Sequence, residues 1–366
     1  MRLVITVAIA VLMAGCGGAH PTEPDPRPGL TPLTTTAEWP VSSPHAERVD
    51  ATRIDHAVTR IRRGDYGGMS SLLIARNGRL IVEEYFDGMV AERAHTQQSV
   101  TKSVTSLLVG IAARSGRVAL SDPVSRFFTG YEPFANVDDR KRALTVADLL
   151  TMRSGLDWDE STYAGSPLER MNQCGCDWLR FVLDWRMRDM PGTRFEYISG
   201  GTIVAGGIVG AATGSRLDHF AASELFGPLG ISGVSWSQGQ PGGLPHAGGG
   251  LFMRPRDMLK IGALVLDEGR WASQQIVDPA WVRLTTTRVS RGVRTWVGRA
   301  VDYGYGWWLF GYNGNDVIAA SGALGQWIFV VPSMQLVMSA TGNDASRALA
   351  AVEILFSTVL PSTAMP

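Results

Sequence analysis

Ser71-Leu72-Leu73-Ile74-Ala75-Arg76-Asn77-Gly78-Arg79-Leu80-Ile81-Val82-Glu83 sets two short apolar runs on either side of an Asn-Gly pair. A tight two-residue hairpin turn needs positive φ at both central residues, which Asn and Gly tolerate best, so the stretch reads as two antiparallel strands. Just upstream, Ile54, Ala57, Val58 and Ile61 recur at helical spacing. Downstream, residues 99–113 read as a helix burying Val104, Leu107, Leu108 and Ile111, with Gly116 as its stop.

From 118 to 214 the pattern is mostly helical and irregular, without paired strand signals. Strands return in the last third. Residues 303–310 and 317–320 flank Asn313-Gly314, 327–331 and 336–340 flank Pro332-Ser333, and a final helix covers 345–359. Strands at both ends enclosing a helical middle predict an α/β (α+β) fold: one antiparallel sheet flanked by terminal helices, with an inserted, mostly helical subdomain. The expected boundaries are a signal peptide at 1–15, a Pro/Thr/Gly-rich tether at 16–45 and one domain at 46–361. Within that domain the sheet region occupies 46–117 and 215–361, and the helical subdomain 118–214.

The N-terminus is read as a targeting signal. Arg2 precedes an apolar stretch, 3–12, too short to span a bilayer. Leu12-Met13-Ala14-Gly15-Cys16 resembles a bacterial lipobox, with Cys16 as the lipidated residue. An exported cell-envelope lipoprotein is expected, touching the membrane only through its lipid anchor. The 366 residues carry 34 basic and 34 acidic side chains, so no electrostatic footprint points to a nucleic-acid partner. A monomer is expected. Lysine occurs only at 102, 141 and 260, in a chain whose other basic residues are arginine. A bridge across one residue is strained, so Cys174 and Cys176 are expected as free thiols in a helical segment.

Ser99-Val100-Thr101-Lys102 carries the chemistry. A serine hydroxyl is a poor nucleophile at neutral pH and needs a base. Residues at i and i+3 share a helix face, so the Lys102 amine can reach the Ser99 oxygen. A lysine can give up its proton when desolvated, whereas an arginine stays protonated. A helix start also offers N–H groups and the positive dipole end to a developing oxyanion. The competing reading is a helix-capping Ser99 with a solvated Lys102. No G-x-S-x-G, H-E-x-x-H or G-x-x-x-x-G-K occurs, so neither an α/β-hydrolase elbow nor a metal or phosphate site is expected, and no cofactor. His246, beside a glycine-rich run, is expected on a surface loop, with the border of the cleft as the alternative; Trp158, Tyr163, Trp307 and Trp327 are candidates for an acyl pocket.

Gln98-Ser99-Val100-Thr101-Lys102-Ser103 resembles the active-site motif of the class C β-lactamase-like serine hydrolases and penicillin-binding proteins, nearest to the family VIII esterases and 6-aminohexanoate-oligomer hydrolases. Ile74-Ala75-Arg76-Asn77-Gly78, Leu149-Leu150-Thr151-Met152-Arg153-Ser154-Gly155-Leu156, Gly249-Gly250-Leu251 through Arg256-Asp257-Met258, and Gly322-Ala323-Leu324-Gly325-Gln326 resemble further segments of that family in the same order. The resemblance implies a β-lactamase/transpeptidase-like fold. It makes Tyr197, in Glu196-Tyr197-Ile198-Ser199, the phenol that relays a proton between Ser99 and the leaving group, with Ser199 bonding substrate or Lys102. It places Ser321, Gly322 and Ala323 on the strand that walls the site, with the Ala323 N–H joining that of Ser99 as oxyanion hole. Where the family has K-T-G or H-T-G, this chain has Ala320-Ser321-Gly322. The cation that would hold a penicillin carboxylate is missing there, and an unpartnered desolvated carboxylate is costly. The implied activity is therefore hydrolysis of a small ester or amide; the alternative is a penicillin-binding protein acylated with little turnover. The candidate substitute cation is an arginine from elsewhere in the chain, such as Arg254.

Overall fold

The computed structural model describes residues 29–33, 38–239 and 243–363. The expected signal peptide and Cys16 lie outside the described residues. Eight strands form one antiparallel sheet: β1 (Met69–Arg76), β2 (Arg79–Tyr85), β3 (Ser290–Trp296), β4 (Arg299–Tyr303), β5 (Trp308–Tyr312), β6 (Asn315–Gly322), β7 (Gln326–Val331) and β8 (Leu336–Gly342). Their order across the sheet is β2-β1-β8-β7-β6-β5-β4-β3, so the N-terminal hairpin docks on the last strand, with Ile74 opposite Met338. Both Asn-Gly turns have positive φ at each residue, 51° and 73° at Asn77-Gly78 and 47° and 80° at Asn313-Gly314.

Side chains alternate faces along a strand, and β7 shows which layers they meet. Ile328 faces helix α4 (Pro255–Leu266), which approaches closely at Gly262: a Cβ there would lie 2.8 Å from Ile328 and 2.5 Å from Val337. Trp327 and Phe329 point the other way, stacked at 5.1 Å, and the Trp327 indole donates to Ala348 O on the C-terminal segment. That segment, Ala345–Ser362, is long and apolar enough to cross a membrane by composition, yet half of it is buried; Phe356 stacks on Tyr312 at 5.0 Å. It packs beside helix α1 (Ala51–Arg62). Helix α2 (Val100–Ala113) lies against β6 and against helix α3 (Ser199–Thr213), the longest of the helices between 118 and 214.

The structure departs from the sequence reading in three places. The run 303–310 is two strands, because the chain turns at 304–307 to meet α2: a Cβ at Gly306 would be 2.8 Å from Ser106 Cβ, and Ser103 and Ser106 donate to the carbonyls of Gly306 and Tyr305. Cys174 and Cys176 are disulfide-bonded, with Cα atoms 5.1 Å apart. The helix expected there stops at Gln173, and Gly175, at φ 57°, folds the backbone back so that the two side chains meet. Finally, the described part of the expected tether packs on the domain. Trp39 is 2% exposed against Trp271, Val41 bridges to Leu80, and Thr31 donates through its N–H and hydroxyl to Glu84.

Among the short helices of the insertion, Lys141 is a buried knot. Its ammonium donates to Ala135 O (2.8 Å), Leu183 O (2.7 Å) and Trp185 O (2.6 Å), tying its own short helix to two other segments of the insertion. Lys141→Met should lower the unfolding free energy by on the order of 3 kcal/mol in urea titration, since it strands those carbonyls, while activity per folded molecule stays unchanged. A loss of activity without a loss of stability would contradict the structural role.

Candidate active site

The turn that opens α2 is held in a sparsely populated conformation. Gln98 has φ 46°, and its backbone and side-chain nitrogens both donate to Thr96 Oγ1. Ser99 follows as the N-cap residue but makes no side-chain cap hydrogen bond. Its hydroxyl instead lies 2.9 Å from Lys102 Nζ, one turn along. Lys102 is 2% exposed, and Nζ has two further partners: Gly248 O at 2.7 Å and Ser199 Oγ at 3.0 Å. A capping serine with a solvated lysine does not describe this pair.

Two segments deliver those partners. Ser199 is the first residue of α3. Gly248 belongs to the turn 246–249, anchored to α2 by Thr105 Oγ1 donating to Ala247 O at 2.8 Å. A Cβ at Gly248 would sit 3.2 Å from Ser199 Cβ, so glycine is what lets this turn come close enough to bond the lysine. Tyr197, two residues before Ser199, stacks on Trp308 (5.4 Å, 28°), and its ring centroid lies 4.9 Å from Lys102 Nζ. Ser99, Tyr197, Ser199 and Ala323 all line one cleft of about 730 Å³.

Ser321 and Gly322 precede Ala323 on β6 but do not line that cleft among the described residues. The space beside Gly322 is filled by protein: a Cβ there would be 2.5 Å from Gln97 O and 3.0 Å from Gln98 Cβ. Its glycine serves the approach of the strand to the Gln97-Gln98 turn. Arg254 is no substitute cation; it is ion-paired with Asp257 at 2.9 Å and Glu38 at 3.3 Å. Of the four aromatics singled out, only Tyr163 reaches the cleft, while Trp158, Trp307 and Trp327 are at most 2% exposed in the core.

Two cleft residues, Arg294 and Glu160, were not legible in the sequence, and a third, His246, takes the place the sequence reading held as its alternative. Arg294, on β3, sits with its guanidinium 5.3 Å from the ring centroids of both Tyr197 and Trp308. Glu160 accepts from Ser199 N–H (2.7 Å), Ser199 Oγ (2.8 Å) and the Trp158 indole (2.8 Å). His246, expected on a surface loop, is instead 8% exposed and lines the cleft. Its ring meets Trp178 edge to face at 5.1 Å, and its Nδ1 has no hydrogen-bond partner among the described residues. The glycine-rich turn it leads folds inward onto Ser199 and Lys102, which is why the loop is not at the surface. Burial, with a smaller contribution from the Lys102 charge, pushes the imidazole down to about 4, so it is neutral at physiological pH.

The beta-lactamase family model matches residues 54–355. The 6-aminohexanoate-dimer hydrolase of Paenarthrobacter ureafaciens is 25% identical over 323 residues, covering 83% of this chain and 81% of that one. Penicillin-binding protein 4 of Amycolatopsis lactamdurans is 25% identical over 333 residues, covering 81% and 84%. Among solved structures, the hydrolase EstCE1 superposes with a TM-score of 0.71 at 19% identity, over 85% of this chain and 100% of that chain.

The buried imidazole gives a pH signature of stability. Its folded value of about 4 lies below the ordinary 6.5, so across that window the unfolded chain binds a proton that the folded chain does not. Stability from this group is therefore full above pH 6.5 and is lost as pH falls toward 4. Urea titration should find wild type losing about 2 kcal/mol more than His246→Asn between pH 7 and pH 4.5. Equal losses in the two proteins would contradict the assignment.

Proposed function

The chain belongs to the beta-lactamase family and is a serine hydrolase of that family, and on that premise we propose that it cleaves ester or amide bonds of a small substrate through an acyl-enzyme on Ser99. The observation that carries this reading is the 2.9 Å approach of the Lys102 amine to a Ser99 hydroxyl that caps nothing, at the edge of a cleft. Ser99 Oγ attacks the carbonyl carbon while its proton passes to Lys102 Nζ. The carbonyl oxygen takes up negative charge between the N–H groups of Ser99 and Ala323. Tyr197, beside Lys102, delivers a proton to the departing alkoxide or amine. Water then enters, loses a proton to the same relay, and releases the acid from Ser99.

Turnover of esters or amides is favoured over stable acylation by β-lactams. Ala320, where the family carries a cation, is fully buried, so the β6 wall offers no charge to a desolvated carboxylate. Arg194 is tied to Glu196 at 3.2 Å. Penicillin-binding protein 4 keeps the second reading open to test: it would give lasting labelling by a fluorescent penicillin without release. Export and anchoring through Cys16 complete the proposal, with action as a monomer on the envelope side of a bacterial membrane.

The test is labelling by a fluorophosphonate together with hydrolysis of short-chain nitrophenyl esters. Ser99→Ala should abolish both. Lys102→Arg keeps the charge but not a base, and should lower kcat/KM by about 10²- to 10⁴-fold. Undiminished turnover in either variant would overturn the reading.

A further inference from the structure

The Lys102 amine has three neighbours, and the direction of each hydrogen bond can be worked out. Gly248 O is a carbonyl and only accepts. Ser199 Oγ carries one proton, and that proton points away from the lysine, to Glu160 Oε1 at 2.8 Å. The other carboxylate oxygen, Oε2, is occupied by two N–H groups, those of Ser199 (2.7 Å) and of the Trp158 indole (2.8 Å). Both are donors with no acceptor capacity, so this side of Glu160 must remain an acceptor. With its own proton committed to Glu160, Ser199 meets Lys102 with lone pairs alone. Two directions around Nζ are thus fixed as N–H donations, and only the third, toward Ser99, can carry the proton either way.

We propose that Glu160 is a positioning residue that sets the polarity of the Ser199 hydroxyl and so keeps the free lone pair of the Lys102 amine turned toward Ser99. The inference rests on the Ser99 acyl-transfer reading above. A carboxylate at the start of α3 also interacts favourably with the helix dipole, which would be a purely structural role. The difference between the two roles lies in what an amide does there. Glu160→Gln has one acceptor oxygen, which the two N–H donors claim, leaving its NH₂ facing Ser199 Oγ. The Ser199 proton then turns to Lys102 and occupies the lone pair needed for the proton of Ser99. Removing the Ser199 hydroxyl removes that competitor, so the two residues must act as a unit.

The experiment is a double-mutant cycle on the full chain: wild type, Glu160→Gln, Ser199→Ala and Glu160→Gln/Ser199→Ala, measured with a neutral nitrophenyl ester. Glu160→Gln should lower kcat by about 10- to 100-fold with KM within about twofold, and slow fluorophosphonate labelling to match. In the Ser199→Ala background the same change should cost less than about threefold. Equal losses in both backgrounds would overturn the proposal and leave a structural carboxylate. If Glu160→Gln does not fold, Glu160→Asp takes its place: an acceptor-only side chain should retain the urea midpoint and most of kcat, and a Gln-sized loss of kcat in a folded Glu160→Asp would overturn the polarity role. A wild type that neither labels nor turns over would instead refute the Ser99 reading itself.

Discussion

A lysine amine held in the protein interior is the constraint around which this site is arranged. Burying an ammonium is costly unless each N–H finds an acceptor. Lys102 has three oxygens within 3.0 Å: Ser99 Oγ, Ser199 Oγ and Gly248 O. The same set suits the neutral amine, because Ser99 can reverse its hydrogen bond and donate, while the other two go on accepting. Bringing those oxygens together draws on α2, the start of α3 and the 246–249 turn, three parts of the chain that no local sequence rule connects. Gly248 is where the 246–249 turn meets Ser199, and Gly306 and Gly322 are where the 304–307 turn and β6 close on α2 and the turn before it. The other two lysines, Lys141 and Lys260, are also buried and donate to backbone carbonyls, the latter to Gly230 O at 3.1 Å. In a chain that otherwise uses arginine, lysine sits where a compact point charge fits and a planar guanidinium does not.

The cleft combines this fixed proton inventory with uneven electrostatics. On the β6 side, Ala320 and Gly322 are buried and uncharged. Tyr197 is stacked on Trp308, with Lys102 Nζ 4.9 Å and the Arg294 guanidinium 5.3 Å from its ring centroid. Two basic side chains therefore lie beside the phenol ring, and none at Ala320 or Gly322. The lining is mixed polar and apolar, with Tyr163, Leu168, Asn172 and Val293 beside Arg294.

What could be read from sequence followed short-range rules. Asn77-Gly78 and Asn313-Gly314 turned as their φ preferences require, and Ser99 opened its helix with Lys102 on the same face. The ordered motifs gave the family. The rest is long-range. Glu160 lies 39 residues from the Ser199 hydroxyl it accepts from, and the acidic run Asp157-Trp158-Asp159-Glu160 carries no periodicity or motif that singles it out. For His246 the cleft border, held second to a surface loop, is what the structure has, because this glycine-rich turn is pulled inward by Thr105 and Lys102. Cys174-Gly175-Cys176 was misjudged. A helix would have separated the thiols, and the helix ended one residue earlier.

The central claim is that Ser99 carries the acyl group during turnover. Its most direct measurement is mass spectrometry of the protein acid-quenched while hydrolysing a slow nitrophenyl ester, followed by peptide mapping. The account predicts about one acyl group per chain, located on Ser99 and discharged once substrate is exhausted. Sustained turnover with no covalent adduct, or an adduct on any other residue, would contradict it.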